Sequence, residues 1–110
     1  MVKLEVKNIK EIENENAKQE FLSKCEDRKS YLEDYFKNYG KDLTLEVIVN
    51  KSGKTYKVSA SLNMKSKKIL HLEEHKDILP AATKLFNEFL KEVKRQKELE
   101  RKDYLYKRKR

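Results

Sequence analysis

Residues 43–64 read LTLEVIVNKSGKTYKVSASLNM, and this stretch decides the fold. Leu43, Leu45, Val47 and Val49 alternate with Thr44, Glu46 and Ile48, the period of two expected of a strand with one buried face. Tyr56, Val58, Ala60, Leu62 and Met64 alternate again across 55–64. Between them, NKSGK at 50–54 contains Gly53, which is free to take a positive φ, so the two runs read as a hairpin. KSKK at 65–68 is a second turn, and ILHLE at 69–73 is the third strand of the same meander.

Upstream, VKLEV at 2–6 places Val2, Leu4 and Val6 on one side of another short strand. NIKEIENEN at 8–16 is polar and turn-prone, a loop or a frayed helix start. From about 17 to 39 the period lengthens. Phe21, Cys25, Arg28, Leu32, Tyr35, Phe36 and Tyr39 recur at steps of three or four, one stripe of a helix, and Gly40 stands where a left-handed stop is wanted.

Downstream, Asp77 suits an N-cap, and Pro80 is tolerated in the first turn, where its missing N–H has no partner to lose. Ile78, Ala82, Leu85, Phe86, Phe89 and Val93 then form a second stripe. It ends at Val93. Beyond it Leu99, Tyr104, Leu105 and Tyr106 are too few to hold the segment to a core. The expected architecture is α+β in the order β-α-β-β-β-α, a four-stranded sheet with both helices packed on one face and the first two strands parallel. Residues 1–97 form the domain and residues 98–110 a basic C-terminal extension.

The chain has 110 residues, 42% of them charged, and a net charge of +8. That suffices for one domain with a thin core. The excess is uneven. Residues 94–110 carry nine basic residues against three acidic ones, which leaves only +2 for residues 1–93. A local cationic device of this kind suits a polyanion, nucleic acid before membrane surface. An amphipathic membrane helix needs a free apolar face, and here the sheet claims that face. One cysteine, no apolar secretion signal in MVKLEVKNIK and no apolar run of membrane-spanning length point to a reducing, cytoplasmic setting.

Little points to an enzyme. His71 and His75 are separated by Leu72, Glu73 and Glu74 in extended structure, which does not make a metal-binding helix. Cys25 lies on an apolar stripe and has no histidine near it in sequence to activate it. Gly40 and Gly53 are the only glycines, too few for a phosphate-binding loop. No catalytic residue, metal, cofactor or small-molecule substrate is expected.

The second helix carries the signal. Lys84, Lys91, Lys94, Arg95, Lys97, Arg101 and Lys102 fall away from its buried stripe. Some pair within the helix, Glu88 with Lys91 and Glu98 with Lys102. Over 94–110 the excess is too large for pairing. Tyr104 and Tyr106 could stack on splayed bases, with Arg101, Lys107 and Arg108 around them. The expectation is RNA, recognised by backbone and shape. An RNA binder without ribosome preference and a protein-interaction module built on Tyr31, Tyr35 and Tyr39 are the alternatives.

The element order, the turn EEHKD and the stretch HKDILPAATKLFNEFLKEVKR at 75–95 resemble the ribosome hibernation factors, in their short form. The resemblance covers essentially the whole chain. It implies a protein seated in the messenger and transfer RNA channel of the small ribosomal subunit, inhibiting translation and protecting idle ribosomes. It implies ribosomal-RNA contacts at Lys91, Lys94 and Arg95. Through EDR at 26–28 it adds Arg28 and Lys24, with Arg28 also falling at the inner edge of its helix. Glu88, Tyr31 and Asp34 stand where members often carry lysine. The second domain that the long branch uses to pair ribosomes is not seen. A double-stranded-RNA module would start with a helix and open its second helix with a lysine cluster, unlike Asp77, Ile78, Leu79 and Pro80 here.

Overall fold

The structure, a computed structural model, describes the backbone of residues 1–108 and the side chains of residues 1–101. β1 (Val2–Lys7) leads through a 3-10 turn at Ile9–Glu11 into α1 (Glu15–Tyr35). Then follow β2 (Leu43–Ser52), β3 (Thr55–Asn63), β4 (Lys68–His75) and α2 (Ile78–Arg108). The strands form one sheet in the order β1-β2-β3-β4. β1 runs parallel to β2, and the remaining pairs are antiparallel. The fold is the α+β arrangement expected, with both helices on one face.

The hairpin is tighter than its sequence pattern marks. Pairing continues through Lys51 opposite Tyr56 and Ser52 opposite Thr55, so the loop is Gly53 and Lys54 alone. Gly53 takes φ 62° at the first loop position, as a two-residue hairpin turn with glycine there requires. Polar residues extend the ladder because its backbone bonds are indifferent to side-chain polarity. Cross-strand pairs Leu45–Leu62, Val47–Ala60 and Val49–Val58 line the covered face, with Val2 and Leu4 of β1 beside Leu43 and Leu45. The other face is open, and Leu70 and Leu72 of the edge strand β4 are 60% and 58% exposed on it.

α1 begins where Asn14 caps it, its side chain accepting the Ala17 N–H at 3.0 Å. It ends at Tyr35, short of the glycine stop expected at Gly40. The turn after it meets the orphan carbonyls instead: Lys37 N–H reaches Asp34 O and Tyr39 N–H reaches Phe36 O. Gly40, at φ 80°, redirects the chain into β2. The stripe of α1 is buried at Phe21, Cys25 and Leu32, and the turn buries Phe36 against Tyr39 edge to face, 4.8 Å between centroids.

Two buried protons make the fold sensitive to alkali. Burial, then the neighbouring Glu26 charge, pushes the Cys25 thiol from its ordinary 9.0 to about 12. Burial, then the hydrogen bond to Glu100, pushes the Tyr39 hydroxyl from 10.0 to about 12. Both pKa values are raised on folding. Their contribution is complete below the unfolded values and is lost as pH rises through the folded ones. The urea midpoint should therefore hold up to pH 9.0 and fall progressively towards about 12. Cys25→Ala should delay the onset of that fall. An unchanged midpoint at high pH would contradict the burial of both groups.

α2 is held farther along than its apolar residues indicate. Gln96 is buried. One turn on, the Glu100 carboxylate accepts the Tyr39 hydroxyl and the Ser66 N–H, and the Tyr39 oxygen accepts the Lys65 N–H at 2.8 Å. This clamp joins α2 to the α1–β2 and β3–β4 connections, and the helix runs on without a break past residue 97. Counting apolar residues missed it because polar side chains do the holding. Burial works to raise the Glu100 carboxyl, but the bonds donated by Tyr39, Ser66 and Gln96 outweigh it and hold it below the usual range. Glu100→Ala strands the buried Tyr39 hydroxyl and should cost about 1 kcal/mol. Amide exchange over residues 96–101 should quicken with it, and protection equal to the parent's would remove the clamp from the account.

Candidate nucleic-acid interface

α1 and α2 lie side by side on the sheet and leave an open groove of about 820 Å3 between them. Leu79 and Leu90 supply apolar surface. Lys24 comes from α1 and Lys84, Lys91 and Lys94 from α2, against Glu20 and Glu88. Helix geometry explains the row on α2. Residues 84, 87, 91 and 94 recur at three or four on one side, and at 1.5 Å per residue the row spans about 15 Å. That length exceeds the spacing between neighbouring phosphates along a nucleic-acid strand.

These lysines are available. Lys84 sits 3.9 Å from Glu73 and Lys91 3.5 Å from Glu88, yet their side chains are 71% and 74% exposed. The exposed Lys91–Glu88 pair contributes about 0–1 kcal/mol, and Lys84 reaches Glu73, which is 16% exposed and bonded to His71, only at the long end of an ion pair, so both ammonium groups remain open to a stronger anion. Lys94 lies 5.2 Å above the Tyr31 ring. Hydrogen bonding and charge attraction to Tyr31 hold its ammonium above the usual range, so it stays charged.

Other expected contacts lie elsewhere. Lys97 turns inward: its Nζ donates to Tyr35 O at 2.7 Å and sits 4.0 Å over the Tyr35 ring, fastening α2 to the end of α1. Arg95 follows Lys91 by four residues, so it shares the outer side of α2 with Lys91 and Lys84 without lining the groove. It falls on the β4 flank of α2 beside Lys67, Glu92 and Leu99. Arg28 is half-buried on the side of α1 that carries Lys24 and Tyr31, and its Nε is buried with no hydrogen-bond partner among the described residues. Arg101 is exposed on α2. The side chains of Lys102, Tyr104, Tyr106, Lys107 and Arg108 lie outside the described residues.

No protein-family model matches the chain, and no curated protein matches it. The interface therefore stands on its geometry.

Tyr31 and Tyr35 of α1, and Tyr39 in the turn after it, bear on the rival reading. Tyr31 and Tyr35 stack at 6.1 Å and each lies under a lysine of α2, while Tyr39 is buried in the clamp. Tyr35 and Tyr39 are engaged internally, while Tyr31 remains 37% exposed beside Lys94. The four-residue spacing of the tyrosines and the three-residue spacing of Lys94 and Lys97 were the sequence signals for this stack. Thr83, Asn87 and Leu90 complete the groove and had no signal, since neutral residues on an exposed flank look alike in a sequence. No helix among the described residues is long and apolar enough to cross a membrane.

Proposed function

We propose that the chain is a short ribosome hibernation factor, binding ribosomal RNA of the small subunit in its messenger and transfer RNA channel. Bound there, it blocks translation and shields idle ribosomes in the cytoplasm. The observation that carries the RNA part is the convergence of Lys24, Lys84, Lys91 and Lys94 on one open groove between two helices held by a common core. Rigid cations with weak internal partners neutralise phosphates at little reorganisation cost. The ribosomal part is supported by the resemblance in element order and in residues 75–95. Phosphates position such a protein without specifying sequence, so shape does the discriminating.

Cosedimentation with purified small subunits tests this reading. Association should be strong at low salt and fall steeply as salt rises, because each neutralised phosphate releases a counterion. Affinity flat across that range would contradict it. Excess bulk RNA separates the ribosome-specific reading from general RNA binding: a hibernation factor stays on the subunit, whereas a general binder is competed away.

A further inference from the structure

The basic groove does not close at the N-terminal end of α2. It continues, across shared residues Glu20, Leu79 and Pro80, into a second cavity of about 460 Å3. The chemistry changes there. The second cavity has no lysine or arginine among its lining residues. Its floor is Ile12 and Ile78, both buried, and its walls include Tyr56, Leu79 and Pro80. Asn14, Glu20 and Asp77 stand at its rim. Asn14 has its Oδ1 on the Ala17 N–H, while the carboxylates of Glu20 and Asp77 make no hydrogen bond or ion pair among the described residues.

Resting on the RNA-binding reading above, we propose that this cavity receives one unstacked nucleobase of the strand whose phosphates follow the lysine groove. Acidic groups at the rim keep phosphates out, and the apolar walls suit a planar, uncharged ring. Tyr56 offers an aromatic surface, as sites for extruded bases commonly do. Carboxylate oxygens accept hydrogen bonds, so the rim favours a base with an exocyclic amino group (adenine, cytosine or guanine) over uracil, which has none. An apolar pocket with an acidic rim would also suit a lysine or arginine side chain. Its continuity with a wall of four lysines decides against a cationic chain and for a polyanion that carries neutral rings.

The test compares a short adenine homopolymer with a strand of the same length and phosphate count but no bases, by fluorescence anisotropy at one salt concentration. The adenine strand should bind about tenfold more tightly, the usual order for one stacked base. Tyr56→Ala and, separately, Ala17→Leu, which fills the second cavity from a position outside the lysine groove, should remove that advantage while leaving the affinity for the base-free strand unchanged, which also shows that each variant is folded. A uracil homopolymer should fall between the two. Equal binding of the adenine and base-free strands overturns the base pocket and leaves the lysine groove standing. An adenine preference that survives both substitutions places the base elsewhere and overturns the pocket too. If neither strand binds, the RNA reading falls together with it.

Discussion

Reversing Lys84, Lys91 and Lys94 to glutamate together should lower affinity for the small ribosomal subunit by at least about a hundredfold. A charge-assisted hydrogen bond contributes about 1.5–3 kcal/mol, and three are lost even before repulsion between the new carboxylates and phosphate is counted. The slope of log affinity against log salt should also become shallower by about two to three. Folding should hardly respond. The three lysine side chains are exposed, the Lys91–Glu88 pair contributes about 0–1 kcal/mol, and Lys84 reaches the largely covered Glu73 only at 3.9 Å. A circular-dichroism melt close to that of the parent is therefore the required control. A triple variant that cosediments as well as the parent would place the RNA on another face.

The largest effect on stability should come from Phe86→Ala, at about 3–5 kcal/mol. Phe86 is 1% exposed on the side of α2 that meets the sheet, next to Leu85 and Phe89, so truncation leaves a cavity that rigid strands cannot collapse into. A domain of this size has about 5–15 kcal/mol in all, and much of it would go. The urea midpoint should fall with the slope unchanged. Because α2 carries both the core stripe and the lysine row, RNA affinity should weaken in the same variant without any cation being touched. A loss below about 1 kcal/mol would mean that α2 is not anchored through this residue.

The sequence was legible wherever one residue type repeats against its neighbours. Alternation over 43–64 marked two strands and their turn, and the three-and-four spacing from Phe21 to Leu32 and from Ile78 to Val93 marked both buried stripes. Periodicity reports which side of an element a residue occupies. It says nothing of what stands opposite. Lys94 and Lys97 look equivalent on a helical wheel, yet one borders an open groove and the other is bonded to the end of α1. Glu100 read as one carboxylate in a charged tail, and it is the centre of a clamp made by residues 61 and 34 positions away. Lys24 joins the lysine row only because the sheet brings α1 alongside α2. The second cavity was invisible for the same reason, since Ile12, Tyr56 and Pro80 come from three separate parts of the chain.

The central claim is that the groove between α1 and α2 faces ribosomal phosphates. The most direct measurement is an electron cryomicroscopy structure of the protein on the small subunit. It should show backbone phosphates within about 4 Å of the Lys84, Lys91 and Lys94 ammonium groups. The same groove opening onto bulk solvent, with the subunit contacted through the uncovered face of the sheet, would contradict it.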